Sequence, residues 1–175
     1  SSDLGATFYF AREALIDALL TGRNQIFLSA SKAQAHQFKN YMQAFVQEAL
    51  GRQLTGDPIV LANGAELHFL GTNYRTAQGR SGNFYFDEFF WVHGFDELNK
   101  VASGMALHKK WRKTYFSTPS SMGHPAYKWW TGERLNKGKP AAQHVKIDLR
   151  HDTLAPGKLC REDKIWRQIV TILDA

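Results

Sequence analysis

The stretch GNFYFDEFFW, residues 82–91, decides the fold class, because it places two adjacent carboxylates inside an apolar and aromatic segment. Apolar residues on both faces are typical of a strand in a parallel sheet that helices cover on both sides. Burying an ionised carboxylate without a partner is very unfavourable. We therefore expect Asp87 and Glu88 to end a core strand, where they face a metal ion, a basic side chain or the solvent around a turn.

The segments on either side of this strand predict helices and strands in alternation. Apolar residues at helical spacing predict helices over 7–20, 35–49 and 95–105, and short apolar runs predict strands at 24–30 and before 117. Asn63-Gly64, between two apolar runs within 57–72, predicts a β-hairpin. This order predicts an α/β fold, a three-layer domain whose mainly parallel sheet is flanked by helices.

The length of 175 residues, 43% of them hydrophobic, predicts one compact domain over 1–175. Residues 124–175 are less regular: HVKIDL (144–149) predicts a strand, and Ile165, Ile169 and Ile172 predict a last helix. The first residue is serine and the chain opens in a predicted loop. We therefore expect a fragment of a longer protein.

The charge balance favours an anionic partner. A formal net charge of +6 is typical of proteins that bind nucleic acid or nucleotide phosphate. The single cysteine, Cys160, excludes an intrachain disulfide and favours a reducing cytoplasmic setting. No apolar stretch reaches the roughly 18 residues of a membrane span, so we expect a soluble protein with no membrane partner.

Three short motifs predict a nucleotide site when they are taken in order. Gly5-Ala6-Thr7 precedes the first helix, Asp87-Glu88 ends the aromatic strand, and Ser117-Thr118 ends a later strand. Alone, the first motif favours a simple helix cap, and the second is equally compatible with a plain turn. Together they follow the order of a P-loop ATPase, in which the carboxyl ends of neighbouring strands meet at the ligand.

Each motif has a distinct chemical role in that interpretation. Asp87 would hold Mg²⁺ with the Thr7 hydroxyl, and Glu88 would polarise the attacking water. The amides of Gly5, Ala6 and Thr7 would face the phosphates. The hydroxyls of Ser117 and Thr118 would sense the γ-phosphate.

Four segments of the chain closely resemble the ATPase region of the large terminase subunit of tailed bacteriophages and prophages. They are LGATFYFAREALIDAL, GRNQIFLSASKAQAHQFK, RTAQGRSGNFYFDEFFW and FDELNKVASGMALHKKWRKTYFSTPSS. The resemblance covers almost the whole chain. It implies an ASCE-type (RecA-like) P-loop fold that uses ATP and Mg²⁺ to move double-stranded DNA into procapsids in the host cytoplasm. Its implied partners are the terminase small subunit, the portal and further copies of the chain in the motor.

The resemblance also implies residue roles. Gly5, Ala6 and Thr7 would end a deviant Walker A motif, Asp87 and Glu88 would be the Walker B pair with Glu88 as catalytic base, and Ser117-Thr118 would be the coupling motif. Ala6 stands where the usual motif has lysine, and Ser1, Ser2 and Asp3 supply no basic substitute. Residues before Ser1 and the C-terminal nuclease domain of the family are outside the sequence. We therefore expect this chain alone to have little or no ATPase activity.

Two other functions remain open. One is a helicase-like nucleic-acid ATPase, and the other is a non-catalytic module that binds DNA or partner chains. The densest basic cluster, Lys109, Lys110, Arg112 and Lys113, is a candidate DNA contact, although cations also favour a helix C-terminus. Arg75, Gln78 and Arg80 are either phosphate or DNA contacts or solvated loop residues.

Overall fold

The computed structural model describes residues 5–73, 79–105 and 111–174. The chain forms two compact units, one ending at Pro119 and the other beginning at Ser120. All predicted site residues that the structure describes belong to the first unit. That residues 1–175 behave as one domain, with a less regular part from 124, stays a prediction.

The described part of the first unit alternates helices and strands, as the sequence predicts. Its elements are α1 (Ala6–Thr21), β1 (Gln25–Leu28), α2 (Lys32–Leu50), β2 (Ile59–Val60), β3 (Glu66–Leu70), β4 (Asn83–Asp87), α3 (Phe95–Met105) and β5 (Lys113–Phe116). A short 3₁₀ turn, Phe89–Trp91, follows β4. The aromatic stretch therefore forms a strand that ends at Asp87.

The five strands form one sheet in the order β2-β3-β1-β4-β5. β1, β3, β4 and β5 run parallel, and only β2 is antiparallel, to β3. The predicted hairpin is thus confirmed. Gly64 has a φ of 86° in its turn, and the Asn63 side chain donates to the carbonyls of Ala18 and Leu19, which ties the turn to the end of α1.

Helices cover both faces of the sheet, which explains why β4 is apolar on both sides. On one face, the Phe27 ring of β1 stacks on the rings of Phe38 of α2 and Tyr85 of β4, with centroid distances of 4.5 and 4.9 Å. Adjacent residues of a strand point to opposite faces. Phe86 accordingly packs on the other face, where its ring centroid is 6.1 Å from that of Phe95 of α3. The predicted mixed α/β fold with a mostly parallel sheet is confirmed.

The second unit differs from its prediction. Its elements are α4 (Pro125–Trp130), α5 (His151–Leu154), β6 (Lys158–Cys160) and β7 (Ile165–Arg167), with 3₁₀ turns at Glu133–Asn136 and Ala141–Gln143. β6 and β7 form an antiparallel hairpin. The predicted strand at 144–149 and the predicted last helix through Ile165, Ile169 and Ile172 are both wrong.

The periodicity of these isoleucines misled the prediction because an arginine is the buried residue. Arg167 is 1% exposed, whereas Ile172 is 78% exposed. Lys164, with a φ of 60°, lies in the hairpin turn and donates its N–H to the Cys160 carbonyl. Gly157 leaves room for the Trp166 ring, which a Cβ would meet at 2.3 Å. These contacts stabilise a hairpin where a helix was predicted.

Among the described helices, none has the length and apolar character needed to cross a lipid bilayer.

Candidate functional site

Asp87 is the last residue of β4 and lies at the carboxyl edge of the parallel sheet. Its side chain is largely buried at 7% exposure, and its Oδ2 accepts a hydrogen bond of 3.2 Å from Ser29 Oγ. Ser29 directly follows β1, the neighbouring strand, and its N–H donates to the Leu70 carbonyl at the end of β3. Three parallel strands therefore end around this carboxylate.

Glu88 has an unusual backbone conformation. Its φ of 51° and ψ of 40° are left-handed, which costs a residue other than glycine about 1 kcal/mol or more. The Glu88 N–H donates to the Phe116 carbonyl at the end of β5, and its own carbonyl accepts from Trp91 N–H. These bonds hold the strained turn in place. Strain of this kind is typical of functional sites.

The Glu88 carboxylate contacts the residues that follow β5. Its Oε2 accepts from Ser117 Oγ at 3.0 Å, from Thr118 N–H at 3.2 Å and from Thr118 Oγ1 at 2.9 Å. The Phe90 N–H donates to Ser117 Oγ, and the Trp91 indole N–H donates to Thr118 Oγ1. The two predicted motifs at 87–88 and 117–118 are thus brought together by direct hydrogen bonds.

The beginning of α1 lies at the same edge of the sheet. The ring centroid of Phe10, near the start of α1, is 4.7 Å from the ring centroid of Phe116 at the carboxyl end of β5. Further along α1, Asp17 Oδ2 accepts from Gln25 and Asn83, which begin β1 and β4. The helix therefore runs antiparallel to the parallel strands, with its N-terminus towards their carboxyl ends.

This N-terminus has the features of an anion-binding helix end. Gly5 is left-handed at a φ of 77°, and none of the described side chains caps the helix. A Cβ added to Gly5 would meet nothing within 4 Å among the described atoms. The first turn contains no acidic residue, and Thr7 is 5% exposed. Free amides at a helix N-terminus bind phosphate and other anions readily.

The edge offers oxygen donors of the kind that Mg²⁺ prefers. Asp87 supplies a carboxylate, and Ser29, which is hydrogen-bonded to it, supplies a hydroxyl. Mg²⁺ is usually held by one or two carboxylates, with waters and substrate phosphates completing its shell. In the described part of the chain, no group of three or more His, Cys, Asp or Glu side chains could hold a metal ion by itself. The donor set thus fits a metal shared with a phosphate ligand.

The predicted basic cluster is described only in part. Lys109 and Lys110, like Arg75 and Gln78, lie outside the described residues. The Arg112 guanidinium donates to Tyr85 Oη at 2.9 Å and pairs with the Glu13 carboxylate of α1. Burial raises the pKa of Tyr85 to about 12. Arg112 thus joins β4 to α1, while Lys113 is exposed at the start of β5.

Arg80 has a partner inside the sheet. Its Nη1 donates to His68 Nδ1, so the His68 Nε2–H is left to donate to the Glu66 carboxylate at 2.8 Å. Burial, and then the positive charge of Arg80, lower the pKa of His68 despite the nearby Glu66. His68 is therefore a neutral link between Arg80 and β3.

Sequence reasoning missed Ser29 and Trp91. Ser29 could have been found, because it directly follows a buried parallel strand, as Asp87 and Ser117 do. Trp91 gives no such signal, since an aromatic residue in an aromatic run has the pattern of a core residue. The partner of its indole N–H is 27 residues away in the sequence.

The fold and the site define an α/β protein with a mostly parallel sheet, whose candidate ligand-binding edge lies at the carboxyl ends of the parallel strands. Residues 1–175 match the family described as "Terminase large subunit, T4likevirus-type, N-terminal". The chain therefore belongs to this family of phage terminase large subunits.

Two relatives match the whole chain. It is 57% identical to the "Terminase, ATPase subunit" of Escherichia phage P2 and 51% identical to the "Probable terminase, ATPase subunit" of Haemophilus phage HP1. The chain spans 30% and 29% of the lengths of these relatives. The solved large terminase of a thermophilic bacteriophage has a similar fold, with a TM-score of 0.60 and 12% identity, over 78% of this chain and 36% of that one.

Proposed function

We propose that this chain is part of the ATP-hydrolysing motor of a phage terminase, which drives double-stranded DNA into procapsids. The observation that carries the proposal is the hydrogen-bonded pair of motifs at the sheet edge: Glu88, beside Asp87, accepts three hydrogen bonds from Ser117 and Thr118. A carboxylate that holds the metal ion and a second residue that orients the nucleophile recur in phosphoryl-transfer sites. The names of the two phage relatives support the same activity.

The proposal includes an ASCE-type P-loop architecture. The antiparallel course of α1 directs its N-terminus towards the edge where Asp87 and Glu88 lie. Phosphate bound there would contact the amides of Gly5, Ala6 and Thr7. Because position 6 is alanine, the positive charge that a lysine usually supplies would come from elsewhere in the protein or from a partner.

The residues of the edge have distinct roles in the proposed reaction. Asp87 and the Thr7 hydroxyl would hold Mg²⁺, and the bound ion would supply positive charge against the charge that develops on the phosphates. Glu88 orients the attacking water and takes its proton. Ser117 and Thr118, at the end of β5, hold the Glu88 carboxylate by hydrogen bonds. They also sense whether the γ-phosphate is present.

The proposed setting is the cytoplasm of the bacterial host. The proposed partners are double-stranded DNA, the terminase small subunit, the portal of the procapsid and further copies of the chain. Lys113, with Lys109 and Lys110, is the proposed DNA contact. The described engagement of Arg112 with Tyr85 and Glu13 favours a structural role for that residue.

Removing the Asp87 charge tests the metal site. In the full-length protein, Asp87→Asn is expected to weaken Mg²⁺-ATP binding about tenfold to a hundredfold, the loss expected for one charge-assisted contact. Asparagine keeps the size of the side chain and can still accept from Ser29. Nucleotide affinity is measured by titration calorimetry with Mg²⁺ and again with EDTA.

The exposed carboxylate of Asp152 provides the control, because Asp152→Asn makes the same chemical change in the second unit. The loss for Asp87→Asn should appear only when Mg²⁺ is present. Equal affinities for Asp87→Asn and the parent protein in Mg²⁺ would exclude Asp87 as a metal ligand.

DNA binding is expected to be independent of sequence and sensitive to salt. If the chain makes two or more phosphate contacts, raising the salt from roughly 50 to 200 mM should weaken binding by about tenfold or more. Lys113→Gln should reduce the salt slope by about one, whereas Lys100→Gln, at an exposed position of α3, should leave it unchanged. Fluorescence anisotropy with two unrelated duplexes measures both effects. Affinity unaffected by salt would instead favour a partner other than DNA.

A further inference from the structure

Trp91 combines high exposure with a specific hydrogen bond. It ends the 3₁₀ turn after β4, and 56% of its surface is exposed. Its indole N–H nevertheless donates to Thr118 Oγ1 at 2.9 Å. Burial of its ring therefore does not explain the position of this side chain.

The direction of the hydrogen bonds at Thr118 follows from the available protons. An indole N–H is a donor only, a carboxylate is an acceptor only, and a hydroxyl has one proton. Thr118 Oγ1 must therefore accept from Trp91, and its own proton goes to Glu88 Oε2, 2.9 Å away. The chain of bonds runs in one direction, from Trp91 through Thr118 to Glu88.

Ser117 does not fix the carboxylate in the same way. Its single hydroxyl proton lies between two acceptors, Glu88 Oε2 at 3.0 Å and the Thr118 carbonyl at 2.8 Å. Without Trp91, the Thr118 hydroxyl would also be free to rotate towards water. The bond from the indole N–H thus fixes the orientation of the Thr118 hydroxyl, which donates its hydrogen bond to Glu88.

We propose that Trp91 is a positioning residue, which acts through the Thr118 hydroxyl to hold the Glu88 carboxylate in the orientation that the reaction needs. This inference rests on the proposed function, in which Glu88 is the base. A base must stay within hydrogen-bonding reach of the proton that it removes. Trp91 itself does not contact the reacting atoms in this role.

Kinetics of Trp91→Phe in the full-length protein test the role. Phenylalanine keeps an aromatic ring and removes the N–H, which is the loss of one hydrogen bond. We expect kcat to fall about threefold to tenfold, with the KM for ATP unchanged. Trp166→Phe is the matched control, since Trp166 is 58% exposed and lies in the second unit.

A double-mutant cycle separates this role from general destabilisation. Thr118→Val keeps the shape and removes the hydroxyl, so adding Trp91→Phe to it should cause no further loss of kcat. Additive losses, an unchanged kcat for Trp91→Phe, or a change in KM alone would overturn the positioning role.

The hydrogen bond itself has a readout that does not depend on activity. The Trp91 indole N–H resonance should shift, and its exchange with solvent should accelerate, in Thr118→Val. An unshifted resonance would overturn the proposal. If the resonance shifts but Glu88→Gln hydrolyses ATP at the parental rate, the proposed function fails, and the positioning role of Trp91 fails with it. If Glu88→Gln is inactive but the kcat losses of Trp91→Phe and Thr118→Val add in the double variant, the positioning role of Trp91 is overturned and the proposed function stands.

Discussion

Glu88→Gln in the full-length protein is expected to bind Mg²⁺-ATP with parental affinity and to hydrolyse it about a hundredfold to ten-thousandfold more slowly, the usual contribution of a general base. Glutamine has the size of glutamate and a carbonyl oxygen that can accept the bonds from Ser117 and Thr118. It cannot take a proton from water. Steady-state hydrolysis gives the rate, and a nucleotide titration gives the affinity.

The contrast with Asp87→Asn makes this test specific. Loss of the metal ligand should weaken binding, whereas loss of the base should affect turnover alone. Glu97→Gln, at an exposed position of α3, makes the same chemical change outside the site and should retain the parental rate. Parental turnover by Glu88→Gln would show that another group activates the water.

The fold of the first unit could be predicted because its local patterns agree with its tertiary contacts. The strand predicted within 82–91 is β4, and the Asn63-Gly64 turn joins β2 to β3. In the second unit, the hydrophobic pattern predicted the wrong structure. There the buried group is Arg167, and hydrophobic periodicity carries no information about an arginine that is bonded to an aspartate and a backbone carbonyl.

Part of the site followed from the same reasoning. Polar residues that follow buried parallel strands share one edge of the sheet, and this rule predicts from the sequence that Asp87, Glu88, Ser117 and Thr118 lie together. The left-handed backbone of Glu88 could not be predicted, because glutamate has no preference for that conformation. The bond from Trp91 to Thr118 also depends on the pairing of β4 with β5, which no local pattern specifies.

Asp163→Asn is expected to lower the free energy of unfolding of the second unit by about 3 to 5 kcal/mol, the usual cost of leaving one charge of a buried ion pair without its partner. The Arg167 side chain is fully buried, and its two terminal nitrogens donate to the two Asp163 oxygens at 2.8 and 2.5 Å. Its Nε donates to the Trp130 carbonyl. Asparagine would leave the guanidinium charge uncompensated. Urea unfolding followed by tryptophan fluorescence measures the loss.

A more exposed pair of the same residue types provides the control. Asp148 pairs with Arg150, whose side chain is 72% exposed, and also accepts from the Thr153 hydroxyl, so Asp148→Asn should cost less stability than Asp163→Asn. Acid gives an independent check of Asp163. Burial raises its pKa, but the hydrogen bonds from Arg167 and from the Ile165 N–H, together with the Arg167 charge, outweigh burial, so its pKa lies below the ordinary value of 3.8. Its stabilisation is therefore present above about pH 4 and is lost as the pH falls through the folded-state pKa. Asp163→Asn should lack this part of the acid sensitivity. If the parent and Asp163→Asn lose stability equally in acid, the Asp163–Arg167 pair does not stabilise this unit.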